Sequence, residues 1–179
     1  MSRRHKNTTP RLVWGFTVVE LLVVMSIIGI LATIVIPSVN KARAKSRDAV
    51  RRADLVSLQT ALEIYWNVNG AYPSTINSGW YSSEPGNAVT NNSGNYIPGL
   101  SPSYIFALPR DPRGGASKII PPCSSWKAAY LYKSDGTNFK LLSHCAPESF
   151  PTAGQAFYDP MRPTHAWMVC SSEPACSSW

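Results

Sequence analysis

Residues 15–37 read GFTVVELLVVMSIIGILATIVIP, an apolar run that contains one charged residue, Glu20. As an α-helix, residues 16–36 would be about 31 Å long, enough to cross the hydrocarbon core of a bilayer. An ionised carboxylate in such a segment is costly unless it is paired, so acids found there are usually functional. We therefore predict a membrane-spanning helix over 16–37, with Glu20 as its candidate functional residue.

The residues before this run suggest how the acid could be paired. A secretory signal peptide does not fit, because the run is too long and no A-x-A-like site follows it. Instead a basic leader ends in a small residue, Gly15, directly before Phe16. Cleavage between these two residues would leave a free amine on Phe16, one helical turn from Glu20. That amine could pair with the acid of its own chain or of a neighbour, and the second arrangement would set the register of identical helices.

Gly15, the segment Phe16-Thr17-Val18-Val19-Glu20 and the unbroken apolar run resemble the leader of type IV prepilins and type II secretion pseudopilins. The resemblance implies that prepilin peptidase cleaves after Gly15 and that Phe16 is N-methylated. It implies that Glu20 assists assembly by pairing with the N-terminal amine of another subunit. Gly29 and Pro37 match family positions where the helix loosens on assembly, although Pro37 is also consistent with a simple kink at the membrane edge.

The resemblance covers residues 11–73 well and residues 105–145 loosely. It implies a structural subunit of a type IV pilus or type II secretion pseudopilus, held in the inner membrane by one span with its C-terminal part outside. The implied partners are identical or homologous subunits, prepilin peptidase, an inner-membrane assembly platform and membrane lipid. The alternative is a membrane-anchored binding module that never polymerises and that presents its loops to a glycan or another surface ligand.

The net charge of +7 is concentrated on both sides of the apolar run. Residues 1–15 carry four Lys or Arg, and from residue 53 onward acidic and basic residues nearly balance. A second group of basic residues follows the apolar run, within 41–52. It could form a solvated helix face near anionic head groups, or pair with acids of neighbouring subunits. No nucleic acid is expected as a partner, because no aromatic residues are interleaved. This basic cluster consists of Lys41, Arg43, Lys45, Arg47, Arg51 and Arg52.

Residues 38–69 contain neither Gly nor Pro and carry apolar residues at helical spacing. Asn69-Gly70 and Pro73 then end the pattern. We predict that the helix continues through 38–69 and that its end packs against a domain formed by 70–179. The face expected to make this contact consists of Leu55, Leu58, Leu62, Tyr65 and Trp66.

Within 70–179 we predict a loop over 70–122, a hairpin over 128–143 and a third strand near 166–170. A two-residue turn at Asp135-Gly136 would place Tyr132 opposite Phe139. The same register places Tyr130 opposite Leu141, so that all four apolar side chains share one face of the hairpin. The predicted fold class is α+β, a pilin-like long N-terminal helix packed on a small antiparallel sheet with long loops.

Four cysteines in the last third predict two disulfides if the domain is exported. Three pairings are possible, and we favour neighbours because these close the shortest loops; the C-terminal loop would then span 166–179. A zinc site with His144 or His165 lacks any C-x-x-C spacing. The cysteines are Cys123, Cys145, Cys170 and Cys176.

In the family that the chain resembles, a disulfide or a calcium ion often holds the C-terminal loop. Only Asp159 and Glu173 are acidic beyond the hairpin region, without a D-x-D pattern, so we expect no calcium and no other cofactor. His144 and His165 belong to no catalytic motif, and we expect no enzyme. Aromatic residues could form a carbohydrate-binding surface or serve as core and loop anchors. These are Trp80, Trp126, Trp167 and Trp179.

Overall fold

The computed structural model describes residues 15–87, 95–116 and 123–179. The predicted basic leader therefore lies outside the described residues except for Gly15. The chain forms two compact units, Met1–Ala42 and Arg43–Trp179. The long first helix contributes residues to both.

Helix α1 runs from Val18 to Asn69 and passes through Gly29 and Pro37. It contains an 18-residue window of mean hydropathy 2.7, none of which is buried, so its length and composition suffice to cross a membrane. The helix ends where Gly70 takes a φ of 71° and donates its N–H to the carbonyl of Trp66 at 2.8 Å. A glycine adopts this left-handed conformation without the steric cost of a Cβ, which is why the chain turns here.

The second unit contains an antiparallel sheet in which the strands follow one another in chain order. Two 3₁₀ turns, Ile76–Ser78 and Cys123–Ser125, and a short helix α2, Ala175–Ser178, complete the described elements. The long helix and the small antiparallel sheet confirm the predicted α+β fold. The strands are β1 (Tyr81–Ser82), β2 (Ala129–Ser134), β3 (Phe139–His144) and β4 (Ala166–Cys170).

The hairpin of β2 and β3 differs in register from the prediction. Its loop has four residues, not two, because Ser134 pairs with Phe139. The Asp135 carboxylate accepts the backbone N–H groups two and three residues further on, at 2.8 and 2.7 Å, and so stabilises the wider turn. The predicted pairing is therefore wrong by two residues. The pairs in the structure are Tyr130 with Ser143 and Tyr132 with Leu141.

A two-residue shift leaves every side chain on the face where it was expected, since side chains alternate along a strand. The four apolar residues of the hairpin are accordingly buried together against α1. Trp66 is the exception on the helix, because 43% of it is exposed and it lies outside this core. The helix and hairpin residues of the core are Leu55, Leu58, Ala61, Leu62, Tyr130, Tyr132, Phe139 and Leu141.

The segment predicted as loop, 70–122, contributes strand β1 to the edge of the sheet. Tyr81 pairs with Tyr132, and Ser82 pairs with Leu131. Both residues of β1 are buried, and the next residue, Ser83, donates its N–H to the carbonyl of Tyr130 at 2.9 Å. Two residues are too few to produce an alternating pattern, so periodicity could not reveal this strand.

All four cysteines are paired, as Cys123–Cys145 and Cys170–Cys176. This is the pairing of sequence neighbours. With all four sulfur atoms in disulfides, no thiolate is left for the zinc alternative.

Candidate functional site

Glu20 is hydrogen-bonded within its own chain. The N–H and the hydroxyl of Thr17 donate to Glu20 Oε2 at 2.9 and 2.6 Å, and the N–H of Glu20 donates to Thr17 Oγ1 at 3.2 Å. This reciprocal arrangement is a capping box, in which Thr17 caps α1 and Glu20 is the third helical residue. An acid also suits the first turn because the helix dipole is positive there. The capping box thus gives the single acid of the apolar segment local partners.

Three of the predicted site residues, Gly15, Phe16 and Glu20, lie close together at the start of α1. Gly15 and Phe16 directly precede the capping box in non-helical conformation, and 75% of Phe16 is exposed. Glu20 follows on the first turn of α1. Gly29 and Pro37 lie farther along the helix, which continues through both, so their proposed loosening stays a prediction.

The apolar part of α1 satisfies its few hydroxyl groups internally. Ser26 donates to the carbonyl of Leu22 at 2.9 Å, and Thr33 donates to the carbonyl of Ile30 at 2.7 Å. Such bonds to the preceding turn remove the cost of an unpaired polar group in lipid. At Gly29 an added Cβ would meet no atom within 4 Å in the isolated chain. This part of the helix therefore presents an apolar surface with the Glu20 carboxylate near one end.

A buried ion cluster lies in the second unit, on the part of α1 that follows the apolar segment. Arg51 is completely buried and donates to both carboxylate oxygens of Asp111, at 2.7 and 3.2 Å. Its Nη1 also donates to Asp48 at 2.8 Å. Asp111 accepts the N–H of Arg113 at 2.8 Å, so it forms a turn as well as the ion pair. The ion cluster consists of Arg47, Asp48, Arg51, Asp111 and Glu148.

Asp48 and Glu148 extend the ion cluster to the segment that follows β3. Asp48 accepts the N–H of Glu148 at 3.0 Å and the hydroxyl of Ser149 at 2.8 Å. Glu148 in turn accepts the Nε–H of Arg47, and this bond holds the pKa of Glu148 below its ordinary value. Charge-assisted bonds of this kind are about twice as strong as neutral ones. The ion cluster therefore joins α1 to two distant segments of the chain.

The ion cluster corrects the interpretation of the basic residues 41–52. A solvated face describes Lys41, Arg43, Lys45 and Arg52, which are exposed. Arg47 and Arg51 are paired within the chain, and the Arg52 guanidinium lies 4.9 Å from the centre of the Trp167 ring. The charge partners of Arg47 and Arg51 are therefore intramolecular.

A second buried pair joins Lys140 on β3 to Asp159, with Nζ and Oδ1 3.0 Å apart. Arg162 lies 3.3 Å from the other oxygen of the same carboxylate. Asp159 also stabilises a turn, because its carboxylate accepts the N–H of Met161 at 3.0 Å. Sequence alone did not reveal that it also balances a buried ammonium.

The four tryptophans do not form one exposed surface. Trp167 is buried and donates its indole N–H to the carbonyl of Ser149 at 2.8 Å. Trp80 and Trp126 are partly buried against the outer face of the sheet. The Lys133 ammonium lies 4.7 Å from the centre of the Trp179 ring. Packing therefore accounts for most of this aromatic area.

The two histidines predicted to be non-catalytic lie side by side, with ring centres 5.4 Å apart. His144 is buried, and burial lowers its pKa to about 3, so it is neutral at pH 7. Among the described residues no group of three or more His, Cys, Asp or Glu is arranged to hold a metal ion.

Known proteins similar to this chain include several named type II secretion system core protein G. The protein of Escherichia coli K12 is 37% identical over 110 residues, which are 60% of this chain and 72% of that protein. The protein of Vibrio cholerae is 38% identical over 126 residues, which are 68% of this chain and 76% of that protein. This chain belongs to the type II secretion core protein G family. The protein of Pseudomonas aeruginosa is 32% identical, over 68% of this chain and 78% of its own.

No family model and no solved structure matches the chain. Membership in the core protein G family confirms the pseudopilin resemblance that the segment 15–20 indicated.

Lowering the pH below about 4.3, the ordinary pKa of glutamate, is expected to weaken the ion cluster. A carboxylate whose pKa is lowered by folding contributes stability above its unfolded pKa and loses it as the pH falls through the folded value. Glu148→Gln should therefore remove part of the acid sensitivity and cost less than about 1 kcal/mol at pH 7. Urea unfolding from pH 7 downward measures both effects. Arg47→Met should reduce the pH dependence equally, and a parental pH slope in Glu148→Gln would refute this assignment.

Proposed function

We propose that this chain is a structural subunit of a type II secretion pseudopilus. Prepilin peptidase removes the leader after Gly15, the new amine of Phe16 is methylated, and the subunit polymerises through α1. The observation that carries the proposal is the Glu20 carboxylate, fixed by Thr17 one turn beyond Phe16 in the otherwise apolar first part of α1. In the filament, the amine of a neighbouring subunit replaces or joins Thr17 as the partner of Glu20.

The proposed function specifies where the subunit is located and with which proteins it interacts. The apolar part of α1 anchors the subunit in the inner membrane before assembly, and the Arg43–Trp179 unit faces the extracytoplasmic side. Disulfides persist in such an oxidising environment, and the two in this unit favour that orientation. The partners are identical or homologous pseudopilins, the peptidase and the inner-membrane assembly platform. The protein acts by assembly, not as an enzyme, and uses no cofactor and no nucleic acid.

The alternative function is a membrane-anchored module that binds a ligand and never polymerises. Packing of Trp167 in the core and of Trp80 and Trp126 against the sheet weakens the glycan-binding form of this alternative. The exposed apolar helix is common to both functions, so it does not distinguish them. The N-terminus of the mature protein does.

Mass spectrometry of the protein purified from membranes tests the processing step. We expect a mature chain that begins at Phe16 and carries one added methyl group. Gly15→Val should leave the full-length chain, because the side chain blocks the residue next to the cleaved bond. Gly29→Ala is the matched control, since its Cβ meets no atom and processing should be unchanged. A mature protein that begins at Met1 would overturn the proposal.

A further inference from the structure

Phe106 is the most exposed large apolar side chain among the described residues, since 92% of it is accessible to solvent. Hydrogen bonds within its turn hold it in this position. The N–H groups of Tyr104 and Ile105 donate to the carbonyl of Leu100 at 3.0 and 3.3 Å. The Ser101 hydroxyl donates to the carbonyl of Phe106 at 3.0 Å. A single exposed apolar residue needs no explanation by itself, but an open apolar groove begins beside this one.

The groove has a volume of about 730 Å³ and lies on the second half of α1. Tyr104 and Ile105, the two residues before Phe106, line it together with the helix. On the helix, Val56 and Ile64 line the groove and are 50% and 47% exposed. Phe106 is not one of its lining residues. Each chain therefore carries an exposed aromatic side chain and, next to it, an apolar groove that this side chain does not fill.

These two surfaces match each other in chemistry. The turn 97–107 contains no charged residue. The groove contains one, Arg52, and its guanidinium lies 4.9 Å from the centre of the Trp167 ring. Insertion of Phe106 into the groove of another copy would thus bury apolar surface without burying an unpaired carboxylate. The groove also lies on α1, the helix through which the subunits polymerise in the proposed function, so a second copy is the occupant that the structure favours.

The size of the contact defines when it can form. A buried Phe side chain covers about 150–250 Å², whereas a stable protein interface buries about 1,200–2,000 Å². The contact is therefore too small to hold two chains together by itself. Packing of the α1 helices in a filament would hold the two surfaces at a high effective concentration, at which a small contact is sufficient.

We propose that, in the pseudopilus, Phe106 of each subunit inserts into the α1 groove of a neighbouring subunit. The side chain and the groove are different surfaces, so the contact is head-to-tail and can repeat along an open helical filament. It adds a specific contact between the Arg43–Trp179 units of neighbours to the packing of their helices. This inference rests on the proposed function and names a second assembly surface for it.

Cross-linking of assembled filaments tests the contact directly. Ala107→Cys places a thiol beside Phe106, and Thr60→Cys places one in the groove; both positions are exposed. All four native cysteines are in disulfides, so a short bismaleimide reacts only with the added thiols. Co-expression of the two single variants should give dimers of this chain, and either variant alone should give none. Adding Phe106→Ser to the Ala107→Cys chain should remove the dimers.

Filament yield measures how much the contact contributes to assembly. Phe106→Ser should lower the yield about tenfold, because burial of a Phe side chain changes an equilibrium constant by at least that factor. Ser57→Trp fills the groove and should cause a similar loss. The double variant should lose little more than either single variant, since both changes remove the same contact. Ile76→Ser is the matched control, because Ile76 is 65% exposed and does not line the groove.

Three results would overturn the contact and leave the proposed function intact. The first is filaments of the co-expressed variants that contain no cross-linked dimers. The second is a Phe106→Ser variant that assembles as well as Ile76→Ser. The third is a product of Ala107→Cys alone, either a dimer or a cross-link to another protein, because the turn would then face a different surface. A parent protein that inserts normally and forms no filaments would instead refute the proposed function, and this contact with it.

Discussion

Arg51→Met is expected to lower the free energy of unfolding of the Arg43–Trp179 unit by about 3–5 kcal/mol. The substitution removes the guanidinium that is bonded to Asp111 and Asp48, and both carboxylates are buried. A buried charge without its partner bears its desolvation cost uncompensated, which makes breaking such a pair far more costly than losing a surface pair. The expected loss is a large fraction of the stability of an ordinary domain.

Urea unfolding of the detergent-solubilised protein measures this loss. Lys45→Met on the same helix is the control, because Lys45 is exposed and its replacement should change stability by less than about 0.5 kcal/mol. Adding Asp111→Asn to Arg51→Met should cost less than the sum of the two single changes, since a neutral amide no longer leaves a buried charge. A loss below about 1 kcal/mol in Arg51→Met would show that the ion cluster does not stabilise the fold.

The ion cluster also marks the limit of what the sequence could predict. Arg51 was predicted within a basic helix face because its local neighbours are basic. Its bidentate partner, Asp111, is 60 residues away, in a segment whose Pro and Gly residues indicate only turns. Glu148 is 101 residues from Arg47. Local patterns contain no information about such pairs, so long-range charge pairing became visible only in the folded chain.

Periodicity predicted the elements whose physical cause is local. The apolar run and the three- and four-residue spacing of Leu55, Leu58 and Leu62 predicted α1 and its buried face. Alternation predicted the face of the hairpin correctly even though its register was wrong, because the side chain of Asp135 selects a wider turn. Strand β1 escaped prediction since it consists of two residues held by long-range pairing alone.

The first turn of α1 was likewise predicted only in part from the sequence. The spacing from Gly15 to Glu20 predicted a candidate site, and the capping box could have been found from the sequence, because Thr17-x-x-Glu20 is its usual pattern. The acid was interpreted only as half of an ion pair with a Phe16 amine, of its own chain or of a neighbour. The structure adds that the isolated chain already gives Glu20 two hydrogen bonds from Thr17, so the unassembled helix need not carry an unpartnered carboxylate.

Glu20→Gln is expected to reduce pseudopilus assembly about tenfold or more, while membrane insertion and cleavage after Gly15 remain as in the parent. Glutamine keeps the length of the side chain and can still accept the bonds from Thr17, so the capping box persists. It cannot form an ion pair with the amine of a neighbouring Phe16. The variant therefore separates the local role of Glu20 from its role between subunits.

Filaments sheared from cells and quantified against membrane-bound protein measure the effect. Glu63→Gln on the same helix is the matched control, because Glu63 belongs to the Arg43–Trp179 unit and its replacement removes one negative charge without changing the first turn. It should assemble as the parent does. Equal filament yields for Glu20→Gln and Glu63→Gln would reject the intersubunit ion pair. If the parent also formed no filaments while its insertion was normal, the non-polymerising anchor would be the better account of the apolar helix.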